Sequence, residues 1–195
     1  MRVLPPDFYT QDVDQVARCL IGATLRCEGV GGVIVETEAY DAADPASHSF
    51  AGRTARNAAM FGPVGHAYVY RIYGLHHCLN IVCGMPGSAV LIRAIEPRHG
   101  IERMRERRGM AMRERDLCAG PGRLCQALGI DLANDGAVLT QPPFALEAPV
   151  VMPPIVIGPR IGITRAADRP RRFGWAGSPW LSKAFPTNSS AAQQE

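Results

Sequence analysis

The stretch GGVIVETEAY, residues 31–40, restricts the fold more than any other part of this sequence. Its β-branched residues favour an extended chain, and extended side chains alternate between two faces. Strict alternation places Ile34, Glu36, Glu38 and Tyr40 on one face and Val33, Val35, Thr37 and Ala39 on the other. A strand apolar on one side and doubly acidic on the other must be covered on the first and given partners on the second, because burying an unpaired carboxylate is costly.

Further runs support a sheet around that strand. ATLRCEG precedes it across a glycine turn near residues 29–32, and HAYVYRIYG, HCLNIVCG and SAVLIRAIEP come after it with Gly and Pro between them. The fold expected from these runs is mixed α/β, of the α+β kind, with a largely antiparallel or mixed sheet. TQDVDQVARCLIG has helical spacing, with Thr10 or Asp12 as its cap. A charged surface helix is expected over Ile101–Arg115, and another over GRLCQALGI after Pro121. PPIVIGPRIGI reads as strand. With 195 residues, 47% of them hydrophobic, the chain suits one core, so one domain is expected over 1–185, with a disordered tail over 186–195.

The first residues lack the apolar stretch of a secretory signal, and no long apolar run suggests a membrane span, so a cytoplasmic protein is expected. Six cysteines without a CxxC pair read as reduced thiols, and neither metal nor cofactor is expected. Adjacent His76 and His77 would face opposite ways on a strand. Of the 21 basic residues all but Lys183 are arginine, whose planar fork suits phosphate, although a GC-rich genome also enriches Arg. Lys183 lies close to the polar end of the sequence, a poor place for Schiff-base chemistry.

Several side chains are out of keeping with their surroundings. Alternation in AVLIRAIEP groups Arg93 with Ala89, Leu91 and Ile95, and an arginine there calls for a carboxylate. Asn80 shares a strand face with Cys78 and Val82 and must find partners or point into a pocket. Tyr40, His48, Tyr68 and Tyr70 cluster in sequence, and Tyr73 precedes Gly74 where two strands connect, a place from which a ring projects. Arg53 and Arg56 lie in a glycine-bounded loop, and Arg123 is near a helix start, where free amides favour anions. Each feature has a plain structural reading: an internal ion pair, a satisfied amide, half-buried aromatics, surface arginines.

Taken in order, VETEAY, HS, RNxxMF, YVYxIYG, CxN, VLIRAIEP, LCAGPGRLCQAL and RFGWAGSPW resemble the alkyladenine (3-methyladenine, methylpurine) DNA glycosylases, from about Leu4 to Ser182. The resemblance implies one domain on a curved, mainly antiparallel sheet surrounded by helices. It implies a monofunctional enzyme that flips alkylated purines from duplex DNA, with 3-methyladenine and 7-methylguanine as substrates and hypoxanthine or ethenoadenine as further candidates. Glu38 matches the general base and Arg93 the arginine that helps to hold the attacking water. Tyr40, His48 and Tyr70 match the walls around the flipped base, Asn80 the asparagine that excludes guanine, and Tyr73 the wedge in the duplex. Ile163 matches a residue whose backbone carbonyl supports the water, while Glu36 is read as a structural partner. Arg53, Arg56, Leu75 and Arg123 are assigned to the DNA backbone. Leu75 stands where vertebrate members carry methionine, and the loops before His48 and Arg56 are shorter. The partner implied is duplex DNA, with no membrane, for a bacterial monomer meeting the nucleoid through DNA.

Two rivals share these residues. A glycosidase for carbohydrates or free nucleosides also uses a carboxylate and aromatic platforms, and a non-catalytic DNA-binding module would keep Glu38 and Arg93 as an internal pair.

Overall fold

The computed structural model describes residues 3–186 and 191–192. Helix α1 (Val13–Cys19) is capped by Asp12, whose side chain accepts from the Asp14 amide at 2.9 Å. Strands β1 (Thr24–Cys27) and β2 (Val30–Tyr40) form a hairpin, succeeded by β3 (Ala67–Ile72), β4 (His76–Val82) and β5 (Ala89–His99). Helices α2 (Ile101–Arg108), α3 (Glu114–Leu117) and α4 (Pro121–Leu128) come next, then β6 (Phe144–Glu147), β7 (Ile155–Gly158), β8 (Arg172–Trp175) and β9 (Ala191–Ala192). All strand pairs among the described residues are antiparallel, in the order β3-β4-β5-β2-β8-β7-β9, with β1 between β2 and β6.

Strand β2 is the hub. One edge pairs with β5 along most of its length; the other pairs with β1 over Val30–Val33 and with β8 over Glu36–Glu38. Close approach needs glycine here, since a Cβ on Gly31 would stand 1.9 Å from the Leu25 carbonyl oxygen and one on Gly32 as near that of Glu96. The β1–β2 turn is at Glu28–Gly29, with φ of 50° and 78°, so both later glycines belong to the strand.

The expected alternation of Ile34 with Glu36 does not survive. Ile34 pairs with Ile95, Glu36 with Ala94 and Thr37 with Ile92, leaving Val35 extra on β2 and Arg93 extra on β5. These opposed bulges restore the register and reset which way side chains point. Ile34 and Ile95 therefore pack in the main core with Ala39 and Ile92, while Glu38, Leu91 and Arg93 border a cavity on the other face.

The core lies between the sheet and helices α1, α2 and α4, where Val16, Leu20, Met104, Leu124 and Leu128 meet Leu79, Ile81 and Ile92. Each fully buried aliphatic side chain of this kind contributes about 1.5–3 kcal/mol. Thr37 ties the strand to α1 by donating to the Ala17 carbonyl at 2.8 Å.

The charged helix expected over Ile101–Arg115 stops at Arg108, because Gly109 takes φ 120°, and α3 forms a separate turn. PPIVIGPRIGI is strand only over Ile155–Gly158, and its remaining residues from Pro159 to Ile163 are loop. Of the tail expected to be disordered, Ala191–Ala192 pair with β7, and residues 187–190 and 193–195 lie outside the described residues. Among the described residues no helix is long and apolar enough to cross a membrane.

Candidate active site

Strands β2 to β5, the loop between β2 and β3 and the loop after β7 line a cavity of about 380 Å3. Glu38, Arg93, Asn80 and Ile163 border it, and so do Tyr40, His48, Tyr70 and Tyr73. Residues far apart in sequence meet there through register: Asn80 lies opposite Leu91 on β5, which in turn lies opposite Glu38 on β2.

Glu38 is fully buried. Its Oε2 accepts from Arg93 Nη1 at 3.2 Å and the Tyr40 hydroxyl at 2.8 Å, and its Oε1 accepts from the Ile161 amide at 2.8 Å. Burial pushes its carboxyl above the ordinary value, with Glu36 adding to the rise, although Arg93, the Ile161 amide and Tyr40 pull the other way. Burial also opposes the Arg93 charge, but Glu38 and Glu36 together hold it above its usual value.

Glu36, equally buried, does not border the cavity. Its Oε1 accepts from Arg93 Nε at 3.2 Å, Arg172 Nε at 2.7 Å and the Ser182 hydroxyl at 2.9 Å, while its Oε2 accepts from the Ser182 amide at 2.5 Å. A carboxylate offers about four lone-pair sites. Glu36 takes four donors and lies away from the cavity, whereas Glu38 takes three and lines it.

Aromatic rings make much of the wall, beside Met60, Ile72, Leu91 and Pro121. The His48 and Tyr70 centroids are 4.4 Å apart at 73°, and Tyr68 and Tyr70 are 5.5 Å apart at 32°. His48 Nδ1 lies 2.9 Å from the Tyr68 hydroxyl, and burial, with Arg56 nearby, holds its imidazole below the ordinary value and so favours the neutral ring. Asn80 is fixed by donating from Nδ2 to the Tyr68 carbonyl at 3.0 Å.

Tyr73 is at the β3–β4 tip, 86% exposed with φ 52°, and Gly74 beside it has φ 68°. Leu75 is exposed as well. Neither Arg53, Arg56, Leu75 nor Arg123 borders the cavity. Arg53 is exposed between His48 and β3, Arg56 donates to the Arg71 carbonyl at 3.1 Å, and Arg123 in the first turn of α4 lies 3.9 Å from Asp116. No group of three or more His, Cys, Asp or Glu that could hold a metal occurs among the described residues.

Sequence reasoning missed the second layer. Arg160 is buried, paired with Asp44, donating to the Ala39 carbonyl at 3.0 Å and stacked 4.6 Å from the Tyr40 ring centroid. An arginine inside the apolar run VIGPRIGI was the available signal, of the same kind as that which marked Arg93. Ile161 contributes an amide rather than a side chain, and nothing in residue type could announce that.

The family model described as Methylpurine-DNA glycosylase (MPG) matches residues 7–179. Three relatives bear the name "Putative 3-methyladenine DNA glycosylase". That of Rhodopseudomonas palustris (strain HaA2) is 59% identical over 180 residues, covering 91% of this chain and 89% of the relative. That of Nitrosospira multiformis is 60% identical over 181 residues (92% and 93%), and that of Rhizobium meliloti 59% identical over 179 (92% and 96%). A match over nearly the whole sequence, on a chain whose buried acid and aromatic walls share one cavity, places this protein in the methylpurine-DNA glycosylase family.

Proposed function

We propose that the protein is a monofunctional glycosylase that turns alkylated purines out of duplex DNA into this cavity and hydrolyses their glycosidic bond with water. The observation that carries the reading is that Glu38, with a single donor on Oε1, lines a space of about 380 Å3. A water bound there has a base to receive its proton, and Arg93 beside it holds the carboxylate in place. The cavity lies within the roughly 300–1,000 Å3 usual for small-ligand sites.

The chemistry suits a cationic leaving group. As the bond from C1′ to the base breaks, its electron pair neutralises the alkylated purine; water adds to C1′, and its proton passes to Glu38. The sugar becomes oxocarbenium-like on the way, and the nearby carboxylate stabilises that charge. Tyr40 and Tyr70 offer electron-rich faces to a cationic base, and a neutral His48 adds a platform without repelling it. Asn80, held by its bond from Nδ2 to the Tyr68 carbonyl, stands where its side chain clashes with the 2-amino group of guanine, so undamaged guanine is disfavoured. Tyr73 fills the gap left by the extruded nucleotide, and the exposed Arg53, Arg56, Leu75 and Arg123 face the DNA backbone. Ile163 supplies a carbonyl toward the water. Lys183 does not border the cavity, so among the described residues no lysine is placed for a Schiff base.

The test is incubation with duplexes each carrying one lesion, among them 3-methyladenine, 7-methylguanine, hypoxanthine and ethenoadenine. Strand cleavage only after hot alkali is expected; cleavage without alkali would contradict a monofunctional mechanism. Steep loss of binding with rising salt separates this reading from an enzyme for free nucleosides.

A further inference from the structure

Arg160 touches no part of the cavity surface, yet it joins three pieces of its frame. Its guanidinium pairs with Asp44 in the loop between Tyr40 and His48, with Nη2 at 3.1 Å from Asp44 Oδ1. It also donates to the Ala39 carbonyl at the end of β2, and it lies over the Tyr40 ring. A weaker bond of 3.4 Å reaches the Ala166 carbonyl further along its own loop. Arg171 extends the network, binding Asp14 of α1 at 2.9 Å and Asp41 at 2.6 Å. The residue after Arg160 is Ile161, whose amide is the donor on Glu38 Oε1.

We propose that Arg160 is a positioning residue for the reaction: anchored on Asp44 and the Ala39 carbonyl, it fixes the loop so that the Ile161 amide reaches Glu38 and keeps that carboxylate ionised and aimed. The inference rests on Glu38 being the base. The physical reason is local. Gly162 comes next with φ 77° and open space where a Cβ would stand, so no packing on that side of the glycine holds the segment, and the Arg160 side chain is its anchor. A backbone N–H on a buried carboxylate stabilises its charged form, and an amide that drifts away returns the acid toward its neutral form. Around Glu38 the other charged or titratable groups are Arg93 from β5, Cys78 from β4, and Glu36 and Tyr40 from β2, with Arg172 of β8 one contact further on Glu36.

The experiment is single-turnover excision of 7-methylguanine from duplex DNA as a function of pH. It compares the wild type with Arg160→Lys and with the double variant Arg160→Met/Asp44→Asn, which removes the buried counter-charge together with the guanidinium. In the double variant the acid limb is expected to move up by roughly one pH unit, giving about a tenfold loss on the acid side of the wild-type limb that vanishes on the plateau above both limbs. Arg160→Lys is expected to shift the limb less, because it keeps the charge and loses the fork. Folded variants with an unmoved acid limb, or with an equal loss at every pH, overturn the inference while leaving Glu38 as the base. Excision retained by Glu38→Gln overturns the reading of the base itself, and the inference with it.

Discussion

Glu36 and Glu38 are two residues apart on one strand, equally buried, and bound to the same arginine. What separates them is the company each keeps. Arg93, Arg172 and two groups of Ser182 all donate to Glu36, which does not border the cavity. Glu38 has Arg93, Tyr40 and the Ile161 amide, one donor fewer, and it lines the cavity. A buried acid held by four protein donors away from any cavity is a structural tie, whereas one with fewer donors at a cavity wall is available for chemistry.

The sharpest way to break that distinction is to neutralise each acid in turn. Glu38→Gln is expected to slow single-turnover excision by about 10²–10⁴-fold while retaining affinity for lesion-bearing duplex. It should not cost stability at neutral pH. A carboxyl whose folded value lies above its unfolded one stabilises the fold while protonated, and that contribution is lost as pH rises through the folded value. Glu36→Gln should do the opposite, leaving two guanidiniums short of charge and costing about 3–5 kcal/mol in urea denaturation. Folded Glu36→Gln protein should lose far less excision than Glu38→Gln.

Smaller effects sharpen the comparison between the cavity and its rim. Tyr73→Ala should reduce base extrusion roughly tenfold in a fluorescent-base assay, since a stacked aromatic is worth about 1–3 kcal/mol. The melting temperature should not fall, because the ring is exposed and its backbone is at positive φ. Asn80→Ser should raise release of undamaged guanine roughly tenfold, measured as abasic sites in unmodified duplex. With Glu38 as the proposed base, the wild-type rate on 7-methylguanine should climb with pH through a limb above the ordinary glutamate value of about 4.3, because a base must be ionised and burial raises this carboxyl. A limb at or below that value would mean that the carboxylate is better solvated than its surroundings imply.

The parts of this site legible in sequence were those carried by period and residue type. The strand of Glu38, the lone Arg93, the Asn80 face and the aromatic set all stem from alternation interrupted by an unexpected side chain. The bulges at Val35 and Arg93 left no mark of their own, so Ile34 was grouped with the acids although it packs in the core. Gly109 did carry a signal, the usual one for a helix end, within a charged run that otherwise reads as continuous. Asp44, Arg160 and Ser182 come from three loops and meet the site only after folding, and Ile161 acts through an amide that every non-proline residue has.

The role of Glu38 is tested most directly by a high-resolution crystal structure of the wild-type protein on a duplex bearing a 2′-fluoro 7-methylguanine nucleotide, whose glycosidic bond resists hydrolysis. The purine is expected between Tyr40, His48 and Tyr70, with a water on Glu38 Oε1 in line with C1′. A base still stacked in the helix, or a seated base with no room for water beside Glu38, would contradict that role.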